Sequence, residues 1–203
     1  MKIEVIALGF ALSASMCVAQ QPVSRSVASV QPTRQSYLKL AAEVDSALHN
    51  DVLAVWFPRT VDQEHGGFHS HFARDWKSEP SDGKFSVFQG RMTWVASQVV
   101  MREPKLKDQF LPVVHHGVDF LANVMWDKQD GGFFWGLNDE GKVAAEFTDA
   151  KELYGIGFCI YGAAAAYEAT GDPKALALAK EGFLWAGARS RWPLNRWERS
   201  ILP

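Results

Sequence analysis

The segment Asp62-Gln63-Glu64-His65-Gly66-Gly67-Phe68 returns as Asp127-Lys128-Gln129-Asp130-Gly131-Gly132-Phe133. Each copy follows an apolar helical stretch ending in tryptophan, Trp56 or Trp126, and each precedes a short polar stretch and a new helical pattern. Those later patterns correspond as well, Phe88-Gln89-Gly90-Arg91 with Tyr154-Gly155-Ile156-Gly157, at almost the same offset as the two turns. A period this constant predicts a repeat architecture, with one helix pair and a long inner connection in each unit. The paired glycines suit a sharp turn with positive φ. Beyond the second pair, Gly132-Phe133-Phe134-Trp135 is expected to run briefly extended.

Between these turns the chain reads as helices. From Ser36 to Trp56 the apolar residues Leu40, Ala41, Val44, Leu48, Val52, Val55 and Trp56 fall at helical steps, and Pro58 is expected to stop the run. Further helices are predicted from Phe85 to Met101, with Pro104 just past the end, and from Leu106 to Trp126. A fourth runs from Ala150 to Ala169 and stops at Thr170-Gly171, with glycine just past the end. A fifth opens with Asp172-Pro173, an N-cap followed by proline at the first helical position. No segment alternates like a half-buried strand for more than a few residues, so the class is all-α. Helix hairpins with long connections on one face build an α/α toroid whose loops line a central pocket. The competing architecture is an α-solenoid that binds protein along a concave face.

Composition narrows the function. Apolar residues make up 47% of the 203 and charged residues 22%, the balance of a globular domain rather than a disordered tail or a multi-span membrane protein. The net charge of −2 leaves no basic excess for nucleic acid, and two cysteines cannot build a disulfide framework. Aromatics reach 12%, suited either to a large core or to the apolar faces of sugars.

At the N-terminus Lys2 precedes an apolar run, Val5 to Val18, and small residues flank a cleavage point after Ala19. That pattern predicts a signal peptide over 1–19, too short for a membrane span, and hence a secreted or periplasmic chain. A flexible leader over 20–35 follows, then the repeat domain over 36–188. Cleavage would leave Cys159 without an intrachain partner.

The D-x-[EQ]-x-Gly-Gly-Phe turns resemble those of the N-acylglucosamine 2-epimerase and cellobiose 2-epimerase family. So does Gln89-Gly90-Arg91-Met92-Thr93-Trp94, which is similar to that family's Gln-x-Arg-x-x-Trp. A third match is Lys151-Glu152-Leu153-Tyr154-Gly155-Ile156-Gly157-Phe158, followed by Tyr161 and Ala169-Thr170-Gly171-Asp172. The resemblance covers residues 36–186, the N-terminal half of the family's (α/α)6 barrel. It implies a small-molecule sugar substrate, no cofactor, and epimerisation at C2 of an aldose. In that chemistry a histidine removes the C2 proton from the open-chain sugar, a cis-enediolate forms, and a second histidine returns a proton to the opposite face. Arg91 matches the group that holds the enediolate oxygen, and Phe134 and Trp135 match inner-loop aromatics that stack on the sugar.

The family's catalytic histidines lie on later inner helices, and none of His49, His65, His69, His71, His115 or His116 corresponds to them by motif. A third Gly-Gly-Phe turn is due near residue 196, yet the tail 189–203 reads as a basic, Trp-containing stretch that fits neither repeat. The expectation is a truncation or frameshift, an inactive partial barrel, and self-association through its exposed edges.

Other groupings compete with plain structural roles. His65, His69 and His71 lack a fourth ligand and the usual spacing, so no metal site is expected. Asp62 with Glu64, or Asp127 with Asp130, could serve as glycosidase carboxylates, but their identical placement in two repeats argues for turn chemistry. Gly155-Ile156-Gly157 lies inside a helix with no preceding strand and is no dinucleotide motif. Alternatives to the epimerase are another (α/α)6 carbohydrate enzyme, a glycoside hydrolase or aldose-ketose isomerase, and a non-catalytic glycan- or protein-binding repeat.

Overall fold

A computed structural model describes residues 32–189, apart from Ser78, Pro80, Glu146, Thr148 and Asp149. The expected signal peptide, nearly all of the leader, and the tail from Ser190 onward lie outside the described residues. The described chain is all-α, with six α-helices and one small two-stranded sheet. The helices are α1 (Arg34–Ala47), α2 (Trp56–Thr60), α3 (Ser86–Arg102), α4 (Lys107–Phe120), α5 (Leu153–Thr170) and α6 (Pro173–Arg189). Strands β1 (Lys84–Phe85) and β2 (Gly136–Leu137) pair antiparallel, Lys84 opposite Leu137 and Phe85 opposite Gly136.

Among the described residues, those up to Glu43 form a unit of their own. There α1 begins at a reciprocal cap: the Thr33 hydroxyl accepts the Ser36 N–H at 3.1 Å, and the Ser36 hydroxyl accepts the Thr33 N–H at 3.0 Å. The apolar stripe that predicts this helix is not buried, since Leu40, Val44 and Leu48 stay exposed. Local capping and the Lys39–Glu43 pair one turn apart support it instead.

The first long helix differs from its sequence pattern. After α1 the backbone widens into a π-helical segment, Leu48–Leu53, closed by the Ala54 N–H donating to the His49 carbonyl at 3.0 Å. The helix breaks there, and Trp56 begins α2 rather than ending the run before it. Pro58 does not stop a helix. It sits in the first turn of α2, where its missing N–H has no helical partner to lose. Likewise the pattern from Leu106 to Trp126 divides into α4 and a π-helical extension, Leu121–Met125. The boundaries of α3, α5 and α6 fall within a few residues of those expected. Gly171 closes α5 in the left-handed region at φ 73, and Asp172 caps α6 by accepting the Lys174 N–H at 2.9 Å.

Helices α3 and α5 pack with their backbones nearly touching. A β-carbon on Gly90 would stand 2.3 Å from the Phe158 carbonyl oxygen, and one on Gly162 would stand 2.5 Å from that of Gly90. Around this contact lie Gly155, Cys159, Ala163 and Ala166 of α5, a stripe of small residues at helical spacing. Two core clusters flank it. Phe68 of the first Gly-Gly-Phe turn is buried with Phe110, Val114 and Met92, and Phe133 of the second with Leu121, Met125 and Ile156.

Candidate functional site

The two Gly-Gly turns are built identically. The Asp62 N–H donates to the Gly67 carbonyl at 3.0 Å and the Gly66 N–H to the Asp62 carbonyl at 3.2 Å; the second turn repeats this from Asp127 to Gly132 and Gly131 at 2.9 and 3.1 Å. All four glycines have positive φ, as their pairing predicts. One carboxylate oxygen of each aspartate caps its own turn. Asp62 Oδ1 accepts the amides of Glu64 and His65, both at 2.9 Å, and Asp127 Oδ1 accepts those of Gln129 and Asp130 at 2.8 and 3.2 Å. The turn reading of these aspartates therefore holds.

The other oxygen ties each turn to the start of the next helix. Asp62 Oδ2 binds Lys84 Nζ at 2.6 Å just before α3, and Asp127 Oδ2 binds Lys151 Nζ at 2.7 Å just before α5. Lys84 is 1% exposed and also donates to the Gly66 carbonyl at 2.6 Å, so its desolvation is offset by two charge-assisted bonds. Burial alone would raise the Asp62 pKa, but the Lys84 ammonium and the His65 and Glu64 amides outweigh it and bring it to about 2. For Asp127 the Lys151 hydrogen bond lowers the pKa against the opposing effect of burial. The sequence motifs include Lys151 but assign no role to either lysine. Their signal was the repeat itself, since each stands between its Gly-Gly-Phe turn and the helix that follows.

Helices α3 and α5, so anchored, present a cleft of about 810 Å³ lined by Arg91, Trp94, Tyr154, Phe158 and Tyr161, with Val95, Leu153 and Gly157 completing the wall. The Arg91 guanidinium lies 4.7 Å above the Phe158 ring, and Tyr154 meets that ring edge-on at 5.1 Å. Trp94 and Tyr161 stack at 5.2 Å with 20° between their planes. Among the described residues no carboxylate pairs with Arg91. An apolar-walled cleft thus presents a planar, five-donor cation. Gln89, two residues earlier, plays a different part. Its side-chain amide bonds both backbone groups of Phe68 at 2.8 Å and pins the first turn to α3.

Phe134 and Trp135 lie outside this lining. Phe134 is half-buried with the Lys151 ammonium 5.2 Å above its ring. Trp135 packs edge-on to Phe85 at 5.8 Å, while its backbone accepts the Ser86 N–H at 3.0 Å. No histidine lines the cleft either. His116 bonds the Gly67 carbonyl at 2.7 Å, His49 approaches Glu103 at 3.3 Å, and His69 and His115 stand 3.7 Å from Asp62 and Asp172. Among the described residues no cluster of three metal-ligating side chains occurs, and no helix is long and apolar enough to cross a membrane.

Comparison with known proteins adds an independent line. The sequence profile of N-acylglucosamine 2-epimerase (GlcNAc 2-epimerase) matches residues 66–193. Cellobiose 2-epimerase of Bacteroides fragilis is 30% identical over 137 residues, 68% of this chain and 34% of that protein. The cellobiose 2-epimerase of Dictyoglomus turgidum is 30% identical over 142 residues, 70% of this chain and 35% of that protein. Among solved structures, cellobiose 2-epimerase from Spirochaeta thermophila superposes with a TM-score of 0.71 at 28% identity, covering 80% of this chain and 39% of the other. The chain spans about a third of the length of the curated relatives it matches.

Proposed function

Because the chain belongs to the N-acylglucosamine 2-epimerase family, we propose that it carries the oxygen-binding wall of a sugar 2-epimerase site. The observation that carries this is Arg91, a guanidinium without a carboxylate partner among the described residues, set in a cleft of aromatic rings. Epimerisation at C2 places negative charge on the oxygens of an enediolate. A planar fork of N–H donors held over Phe158 can bind two such oxygens. Trp94 and Tyr161 offer ring surface for the C–H faces of the substrate. Phe134 and Trp135, expected as stacking rings, contribute one layer behind, by seating Lys151 and the start of α3.

Proton transfer needs groups that this cleft lacks, since its lining contains no histidine. That same fact favours a second reading, in which the chain binds a glycan without turning it over. A hydrolase reading loses its carboxylates, because Asp62 and Asp127 are committed to Lys84 and Lys151.

The test is titration of the full chain with cellobiose, glucose and N-acetylglucosamine, beside Arg91→Ala. Saccharide binding that Arg91→Ala weakens at least about tenfold supports the reading; equal binding by both proteins removes it. We also propose export, with Gln20 as the mature N-terminus, which intact-mass measurement of the periplasmic or secreted fraction decides. Self-association belongs to the same proposal, and the exposed Phe183 and Leu184 of α6 support it. Light scattering that finds a monomer at high concentration would oppose it.

A further inference from the structure

The period of the Gly-Gly turns continues into two tight turns further along, one in each repeat. In the first, the Trp76 N–H donates to the Ala73 carbonyl at 2.9 Å and the Ala73 N–H to the Lys77 carbonyl at 2.8 Å. In the second, at the equivalent place, the Gly141 N–H donates to the Asn138 carbonyl and the Asn138 N–H to the Lys142 carbonyl, both at 2.9 Å. Even the flanking ion pairs match: Asp75 to Lys77 at 2.6 Å, and Glu140 to Lys142 at 2.7 Å. The residue before each lysine must enter the left-handed region, with φ 65 at Trp76 and φ 78 at Gly141.

A β-carbon in that region crowds the following carbonyl, so the backbone favours glycine there. The second repeat supplies glycine. The first places tryptophan, the only non-glycine residue with positive φ among the described residues. The same turn closes with glycine one repeat later, so at Trp76 a large side chain stands against the preference of the backbone. That side chain does not disappear into a core. It is 42% exposed, with Phe72 tilted against it at 6.2 Å and the Arg59 guanidinium 5.6 Å from its ring. Arg74 and Asp75, also exposed, flank it in the turn.

We propose that Trp76 is a saccharide-stacking platform, with Arg59 beside the ring as a donor to sugar hydroxyls. A hexopyranose has an apolar C–H face and a rim of hydroxyls. An exposed indole with a planar multi-donor cation next to it complements both. Strained residues retained where the fold does not demand them concentrate at ligand contacts. The choice of sugar as ligand rests on the 2-epimerase reading, whereas the turn geometry stands without it.

Calorimetric titration of the full chain with cellobiose and cellotetraose tests the platform, using wild type, Trp76→Gly, Trp76→Tyr and Arg91→Ala. Trp76→Gly should weaken cellotetraose binding about tenfold or more, with its thermal midpoint staying within about 2 °C of wild type because strain relief offsets the lost ring contacts. Trp76→Tyr keeps a ring at the same backbone position and should bind within about threefold of wild type. Wild-type affinity in Trp76→Gly overturns the platform, and so does lost binding in a folded Trp76→Tyr. Should Trp76→Gly unfold, Trp76→Asn, which also tolerates the left-handed region and lacks a stacking ring, takes its place. Weakening by Trp76→Gly while Arg91→Ala binds normally keeps the platform and removes the Arg91 reading; the converse removes the platform alone. A wild type that binds neither sugar overturns both.

Discussion

The indole N–H of Trp185 donates to the carbonyl of Asp130 at 3.0 Å, holding this ring of α6 against the Gly131-Gly132 turn. One repeat earlier Phe120 of α4 covers Gly66 and Gly67 in the same way. Gly117 and Gly182 occupy equivalent places too, against Thr93 and Ile160 of the neighbouring helices. The repeat is therefore a three-part unit: a carboxylate-capped glycine turn, a lysine that ties it to the next helix, and an aromatic ring from the helix after that.

This predicts unequal costs for two glycine substitutions. In Gly132→Ala the new β-carbon would enter a φ of 79 and stand 2.6–2.9 Å from the Trp185 ring atoms. Conformational strain and overpacking together should cost about 2–4 kcal/mol. Gly171→Ala has nearly the same φ, 73, but nothing within 4 Å, and should lose only about 1–2 kcal/mol. Urea unfolding of both variants measures the difference, and equal losses would mean that the ring contact contributes nothing.

The Asp62–Lys84 pair predicts an acid-sensitive contribution to stability. The Asp62 pKa is about 2 in the folded chain against an ordinary 3.8, so the unfolded chain takes up the proton first as pH falls. The contribution is complete above about pH 4 and is lost as pH falls toward 2. Unfolding free energy followed from pH 5 to 2 should decline less steeply in Asp62→Asn than in wild type. Lys84→Met leaves the carboxylate buried without its cation and should cost about 3–5 kcal/mol at neutral pH.

Arg91→Lys should separate recognition from stability. The residue is exposed, so the thermal midpoint should move by no more than about 2 °C. Lysine keeps the charge over Phe158 but loses the planar fork, and saccharide affinity should fall about tenfold. Normal affinity would make Arg91 a surface cation of no consequence.

With no histidine in the cleft lining, the 203-residue chain should not exchange the C2 proton. Cellobiose, glucose and N-acetylglucosamine incubated with it in deuterium oxide should show no deuterium at C2 by NMR. General acid–base groups typically contribute about 10²–10⁴-fold each, which places turnover without them below detection. Measurable uptake would show that one of the six histidines present acts as a base.

Cys159 is fully buried between α5 and α3, where its thiol approaches the Ser86 carbonyl at 3.6 Å, and burial pushes its pKa well up. It should resist thiol-directed reagents in the native chain and react at once in denaturant. Rapid native labelling would mean that α5 lifts from α3.

What the sequence determined by itself is the part whose physics is local. An aspartate followed by two glycines closes a turn through bonds spanning only a few residues, and Gly171-Asp172-Pro173 ends one helix and caps the next. The internal repeat carries such turns to both copies. Tertiary structure alone decided whatever depends on distance through space. Pro58 misled because helical periodicity does not state where a π-turn breaks the run, whereas the helix predicted by the stripe of α1 does form. Phe134 and Trp135 lie next to the matched turn in sequence, yet packing turns them toward Lys151 and Phe85 and leaves the cleft to Trp94 and Tyr161, residues brought together by the near-contact of Gly90 and Gly162. The strain at Trp76 was equally hidden: a residue's φ follows from the hydrogen bonds that close its turn, and only the folded chain sets Trp76 in the place that Gly141 occupies one repeat later.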